Sequence, residues 1–63
     1  MDVKVFIHAR LYWEIMEHAH SLNMSMFDFL IKTYKCEILS LGYGEMEVLF
    51  DSDYYTLFIL RWS

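Results

Sequence analysis

Residues 3–34 decide the fold of this chain, and they run VKVFIHARLYWEIMEHAHSLNMSMFDFLIKTY. Apolar side chains alternate with polar or aromatic ones over residues 3–7, which predicts a β-strand with one buried face. From residue 9 the apolar spacing lengthens to four, four and three, the period of one helix face. That stripe is formed by Leu11, Ile15, Ala19 and Leu22. The stretch therefore begins as a strand and continues as an amphipathic helix.

A turn and a second helix complete this stretch. Asn23 tolerates the left-handed backbone conformation that is common just past a helix end. Ser25 is typical of an N-cap, and Asp28 three residues later predicts a capping box at the start of the new helix. The apolar face of that helix is expected to consist of Met26, Phe27, Leu30, Ile31 and Tyr34. Residues 3–34 are therefore predicted to form a strand followed by a two-helix hairpin.

Residues 36–62 favour β-structure, because short apolar stretches are separated by glycine or aspartate turns. The predicted strands are Cys36–Leu41, Glu45–Phe50 and Tyr54–Trp62. The last of them is apolar on both faces, so it is expected either to lie centrally in the sheet or to pair as an edge with another chain. The prediction for residues 1–63 is a single α+β domain of order β-α-α-β-β-β, whose second half is a three-stranded antiparallel meander.

Composition points to a small protein that needs a partner. The chain has 63 residues, of which 57% are hydrophobic, and a single cysteine, Cys36. Chains shorter than roughly 70–80 residues usually require a disulfide, a metal or oligomerisation for stability. An internal disulfide is impossible here, so we expect a homodimer. No apolar stretch reaches the roughly 18 residues that span a bilayer, and the N-terminus does not resemble a signal peptide. We therefore expect a cytoplasmic protein.

The alternating strand, the Leu11–Ile15–Ala19 stripe and the Ala19, Asn23, Ser25 cadence resemble the ribbon-helix-helix family of dimeric DNA-binding regulators. The resemblance covers about half of the chain, residues 3–34. It implies that two copies pair through this strand and insert the resulting ribbon into the DNA major groove. Position by position, it implies that Asp2, Lys4 and Phe6 face the bases. It also implies a phosphate contact from Ser25 and the amides that follow it.

The strand that pairs two copies is left open by the sequence. Val3–Ile7 could form an intermolecular ribbon, Tyr54–Trp62 could form an intermolecular edge, or both could join one intramolecular sheet.

Catalytic and metal chemistry lack the residues they need. His18 and His20 are two apart, so on a helix they point in roughly opposite directions, while Glu14 and His18 alone do not make a metal site. Cys36 has neither a paired cysteine nor an evident orienting group for nucleophilic catalysis. We expect no enzymatic activity, no metal and no cofactor.

The acidic balance favours a protein partner over DNA. The chain has nine acidic and five basic residues. The resulting net charge is negative, which is the wrong sign for a phosphate-binding surface. Tyrosines flanked by charge are common at protein interfaces, and carboxylates steer basic partners such as nucleic-acid-handling proteins. The partner-binding residues predicted in this way are Tyr43, Glu45, Glu47, Tyr54 and Tyr55, with Asp51 and Asp53 nearby.

We therefore expect a non-enzymatic interaction protein that inhibits or regulates another protein. In its small size and its acidic, aromatic-rich composition, the chain resembles phage- or virus-encoded inhibitors and antitoxin-type regulators. The alternative is a dimeric ribbon-helix-helix transcriptional repressor that uses Lys4, Phe6 and Ser25.

Overall fold

The computed structural model describes residues 1–62 and contains three strands and three helices. In chain order they are β1 (Asp2–His8), α1 (Ala9–Ser21), α2 (Met26–Tyr34), β2 (Glu37–Gly42), β3 (Glu45–Asp51) and α3 (Ser52–Trp62). The three strands form one antiparallel sheet in the order β1-β3-β2. The predicted α+β class and the first five elements are confirmed, but the last element within residues 1–62 is a helix and not a strand.

The N-terminal strand belongs to the sheet of its own chain. β1 pairs antiparallel with β3 along its whole length, with Val5 opposite Val48 at the middle of the ladder. β2 pairs with the other side of β3, and its register shifts between Ile38 and Ser40. β3 is therefore the central strand, while β1 and β2 are the two edges. The sequence left open whether Val3–Ile7 pairs with a second copy or within its own chain. The structure shows that it pairs within its own chain, as β1.

The predicted third strand of the meander, Tyr54–Trp62, is wrong, because this segment is the helix α3. Asp51 accepts a 3.1 Å hydrogen bond on Oδ1 from the backbone N–H of Asp53, which satisfies a free donor at the start of the helix. The side chains that pack inward follow a helical spacing of three and four rather than the alternation of a strand. They are Tyr54, Tyr55, Phe58 and Trp62. An intermolecular strand edge at this segment is therefore excluded.

All three helices contribute to a core on one face of the sheet. Phe50 and Val48 of β3 and Ile7 of β1 are fully buried on this face. Phe58 of α3 packs on Phe50 with a ring-centroid distance of 4.9 Å. The core is completed by Ile15, Ala19, Leu30, Met46 and, with slight exposure, Tyr12, Met26, Phe29, Tyr34 and Cys36. The alternation read from β1 and β3 therefore identifies the covered face correctly.

Local signals between the helices are also confirmed. Asn23 has a φ of 63°, in the left-handed region. The Ser25 hydroxyl accepts a 3.1 Å hydrogen bond from the backbone N–H of Asp28, as a capping residue should. A second left-handed residue, Lys35 with a φ of 52°, ends α2 and was not predicted. These residues turn the chain from α1 into α2 and from α2 into β2.

Candidate functional site

The face of the sheet opposite the core carries the candidate site. Side chains alternate along a strand, and directly opposed residues of an antiparallel pair share a face. The ladders thus place Phe6 beside Glu47, and Ser40 beside the same glutamate, on the side away from the helices. We call this surface the open sheet face. It consists of Asp2, Lys4, Phe6, His8, Glu37, Ser40, Glu45, Glu47, Leu49 and Asp51.

This face holds the entire net charge of the protein. Its carboxylates are those of Asp2, Glu37, Glu45, Glu47 and Asp51, and Lys4 is its one lysine or arginine. The acidic residues elsewhere are matched in number by the basic ones, so the remaining surface is neutral overall. Those acids are Glu14, Glu17, Asp28 and Asp53, and those bases are Arg10, Lys32, Lys35 and Arg61. The net charge of −4 therefore lies on the open sheet face.

Glu47 is the centre of this face. Its Oε2 lies 3.7 Å from Nζ of Lys4 on β1, and its Oε1 accepts a 3.3 Å hydrogen bond from the Ser40 hydroxyl on β2. One carboxylate thus links all three strands. Phe6 lies on the same face with its ring stacked on His8, at a centroid distance of 4.7 Å. The middle of the face consequently consists of the Phe6 ring and the shared Glu47 carboxylate, and the His8 imidazole lies next to Phe6 toward one end.

The two ends of the face differ in how well their charges are matched. At one end Glu45 lies directly opposite His8. At the other end Asp2 lies opposite Asp51, and like charges in directly opposed positions destabilise a sheet. Glu37 is paired with Leu49, two residues before Asp51, and adds a third carboxylate to that end. Uncompensated negative charge is thus concentrated where β1, β3 and β2 carry Asp2, Asp51 and Glu37.

The structure separates the predicted partner-binding residues. Tyr43 lies in the turn before β3 and is 96% exposed, while Glu45 and Glu47 follow it on the open sheet face. Tyr54 and Tyr55 come after the far end of β3, about 20 Å away at the usual rise per strand residue. Both are half-buried on the side of the helices. Glu45 and Glu47 therefore share the open sheet face, while the Tyr43 ring lies at the adjacent turn against Trp13 of α1. The other two tyrosines belong to neither place.

The residues of the DNA-binding alternative occupy two places. Lys4 and Phe6 lie on the open sheet face, where the Lys4 ammonium is already beside Glu47. Ser25 lies at the start of α2, where its hydroxyl caps the backbone N–H of Asp28. The Asp28 carboxylate lies in the first turn of that helix, the position where a phosphate would be held. Both places therefore carry negative charge where DNA would present phosphates.

A groove also lies on the helical side. It has a volume of about 370 Å³ and lies between α1 and the end of α3. Trp62 forms part of its wall, with the indole N–H held at 3.1 Å by the Tyr34 hydroxyl. The Arg61 guanidinium lies 4.3 Å from the centre of the same indole ring. The groove is open to solvent and its aromatic surface already has a cation of this chain against it.

Neither metal nor thiol chemistry gains support from the arrangement. Within residues 1–62, no group of three histidine, cysteine or acidic side chains could hold a metal ion. Burial raises the pKa of the Cys36 thiol above its ordinary value, so the reactive thiolate is disfavoured.

Several residues of the open sheet face were not assigned to a site from the sequence. His8 and Glu37 are examples, and they join Glu45 and Glu47 only because β1 and β2 flank β3. The alternation in each strand indicates which side chains point outward. The order of strands in the sheet depends on long-range pairing, for which the sequence carries no local signal.

Comparisons with known proteins add no relative: no protein-family model, curated protein or solved structure matches this chain. Among residues 1–62, no helix combines the length and apolar character required to cross a bilayer.

Proposed function

We propose that this protein is a non-enzymatic regulator that binds a basic partner protein on its open sheet face. Binding would cover the basic surface of the partner and thereby inhibit whatever that surface does, including contact with nucleic acid. The partner class follows from charge: a surface that carries the whole net charge of a small domain attracts surfaces of opposite sign.

The segregation of charge is the observation that carries this proposal. A solubilising charge would be expected to spread over the surface with both signs mixed. Here the helical side is balanced and the open sheet face is acidic. The Asp2–Asp51 pair adds to the argument, since it opposes like charges in the ladder and so costs folding stability. A basic partner would relieve that repulsion on binding.

The composition of the face suits a protein partner. Surfaces with an aromatic centre and charged surroundings are typical of protein interfaces, where aromatic residues contribute much of the binding energy. Phe6 supplies the aromatic group, and it is exposed. Glu47 lies directly opposite it and Glu45 two residues along the same strand, and both would pair with lysine or arginine. Inhibition by occlusion requires no catalytic group and no cofactor.

Charge neutralisation with a matched control tests the proposal. The double variant Glu45→Gln, Glu47→Gln removes two charges from the open sheet face. The control Glu14→Gln, Glu17→Gln removes two from exposed positions on α1. Both change the net charge equally, so a general attraction to polycations would respond equally to both. Binding of a labelled lysine- and arginine-rich peptide is measured by fluorescence anisotropy, alongside urea unfolding of each variant.

We expect the open-face variant to bind the peptide roughly tenfold more weakly, which corresponds to about 1.4 kcal/mol, while the α1 control binds like the wild type. Binding should weaken as salt is added, because exposed charges are screened. Equal losses in both variants, or no peptide binding at all, would contradict the proposal.

The DNA-binding alternative is tested with a labelled duplex in the same assay. Retardation of the duplex at low salt that is lost in Lys4→Glu would favour a repressor that uses Lys4, Phe6 and Ser25. The free outer edge of β1 is compatible with such a ribbon, but the sign of the charge beside it favours the protein partner.

A further inference from the structure

The two edges of the sheet are not equivalent on the side of the helices. α1 and α3 both pack on β1, and the inward side chains of that strand, Val3, Val5 and Ile7, are half-buried or buried. β2 lacks such cover. Leu41 is directly opposite Met46, so both side chains point to the helical side of the sheet. Yet Met46 is 1% exposed and Leu41 is 57% exposed.

An apolar shelf therefore lies along β2 on the helical side. It is formed by Ile38 and Leu41 and is bounded at the turn by Trp13 and Tyr43. The Trp13 ring meets Tyr43 edge-on with a centroid distance of 5.9 Å. It also lies close against the turn itself, since a Cβ built on Gly44 would be 3.3 Å from the indole. Trp13 is held in place there, so the shelf has a fixed wall.

The outer backbone edge of β2 is unpaired within residues 1–62. Natural proteins protect such edges with lysine, proline or a bulge. β2 contains neither lysine nor proline, and its only protection is the irregularity between Ile38 and Ser40. The segment from Ser40 to Gly42 remains regular. This half of the edge can accept the ladder hydrogen bonds of an added strand.

We propose that β2 receives an extended segment of the partner protein in which basic side chains alternate with apolar ones. Alternation follows from strand geometry: one set of side chains would lie on the acidic open sheet face and the other on the apolar shelf. Glu37, Glu45 and Glu47 supply the carboxylates on one side. Leu41 and Trp13 supply the apolar contacts on the other. This inference rests on the proposed function and names the mode by which the basic partner binds.

The β1 edge does not offer the same pair of surfaces. Its outward side chains include Lys4, whose ammonium would repel a basic segment. Its inward side is already covered by α1 and α3. A strand added there would leave its apolar side chains without a surface to bury against. Charge and cover both favour β2.

Three synthetic peptides of about eight residues, a usual strand length, test this mode of binding. One alternates arginine with valine, and a second has the same composition with all arginines in one block. A third peptide is the alternating one with N-methylated backbone amides, which keeps its charge and side chains but cannot pair as a strand. Binding is measured by anisotropy, and the contacted residues by amide chemical shifts and hydrogen exchange of the isotope-labelled protein.

We expect the alternating peptide to bind at least roughly tenfold more tightly than both the block and the N-methylated peptides. Amide shifts and slowed exchange should be concentrated in residues 39–42. Leu41→Lys should abolish this preference because it places a cation on the shelf. Leu22→Lys, an equal charge change at an exposed leucine after α1, should leave it intact.

The outcomes separate this inference from the proposed function. Equal binding of all three peptides that still depends on Glu45 and Glu47 would overturn strand addition and leave the acidic face as the binding surface. Shifts confined to β1 would overturn it in the same way. A protein that sediments at twice 7.7 kDa, with the β2 amides protected before any peptide is added, would assign the edge to a second copy. Failure of every peptide to bind would remove both proposals.

Discussion

The two faces of β3 carry opposite chemistry on the same seven residues. Met46, Val48 and Phe50 are buried under the helices, while Glu45, Glu47 and Asp51 lie on the open sheet face. The buried face holds the fold together by excluding water from large apolar side chains. The open face adds little to stability and at one end opposes it. In this protein, the residues that stabilise the domain and those proposed to bind the partner alternate one by one along a single strand.

The largest expected effect is on the buried face. Phe50 is 0% exposed and contacts Phe58, Tyr34 and Tyr55, so Phe50→Ala should destabilise the protein by about 3–5 kcal/mol. A chain of 63 residues has a total stability of roughly 3–9 kcal/mol, so the variant should be largely unfolded or close to it. Urea unfolding followed by circular dichroism measures the loss.

The neighbouring residue provides the matched control for that prediction. Leu49→Ala removes apolar atoms from the open sheet face, where the leucine is half-buried. The loss of stability should be much smaller than for Phe50→Ala, because less surface returns to water. If the two variants were destabilised equally, the open face would have to be covered by another chain, and the contrast between the faces would fail.

The same contrast explains which parts of the fold were predictable. The alternation of residues 3–7 and 45–50 predicts both strands and their buried faces, since one wet face imposes a period of two. The prediction of a strand at Tyr54–Trp62 fails because the apolar residues occupy more than one side of the segment. A short apolar stretch of this kind is compatible with either a strand or a helix. The helical spacing of Tyr54, Phe58 and Trp62 and the aspartate cap at Asp51 were the signals that could have decided it.

The candidate site was predictable only in part. Glu45 and Glu47 were identified as an outward pair, and the structure keeps them together. Tyr54 was grouped with them as part of one aromatic and acidic patch, but it follows the far end of β3, and α3 directs it to the covered side. Asp2 and Glu37 were not grouped with them because each lies on a different strand. Strand order is set by the packing of the whole chain, so it does not appear in any local pattern.

A second prediction concerns the pH dependence of the buried side. Burial raises the pKa of Cys36 in the folded protein. The folded state therefore keeps its proton at a pH where the unfolded thiol, with an ordinary pKa of about 8.5, has lost it. The contribution to stability is complete below the unfolded pKa and is lost as the pH rises through the folded pKa. Stability should decline from about pH 8.5 upward.

Comparison with Cys36→Ala isolates this contribution, because tyrosines and lysines also titrate at alkaline pH. The difference in unfolding free energy between wild type and variant should be constant near neutral pH and shrink above it. A difference that stays constant to pH 10 would contradict the burial of the thiol. Cys36 in the folded protein should also be alkylated more slowly than a cysteine in a denatured chain, because the thiolate is the species that reacts.

The smallest expected effect has the opposite sign and lies on the open face. Asp2 and Asp51 oppose each other in the last pair of the β1–β3 ladder, and Asp51 also caps α3. Asp2→Asn removes the repulsion without disturbing the cap, so it should stabilise the protein by about 0.2–1 kcal/mol. The gain, measured by urea unfolding, should shrink as salt rises.

Glu45→Gln is the control at the other end of the same strand pair, where the glutamate opposes His8 and no carboxylate. It should leave stability unchanged or slightly lower. Destabilisation by Asp2→Asn would mean that Asp2 stabilises the fold. The open sheet face would then no longer differ from the buried face in its effect on stability. If Asp2→Asn instead stabilises the protein while weakening its binding to the basic peptide, one carboxylate opposes folding and favours binding. A selected binding function accounts for the retention of a residue with those two effects, whereas a purely structural role does not.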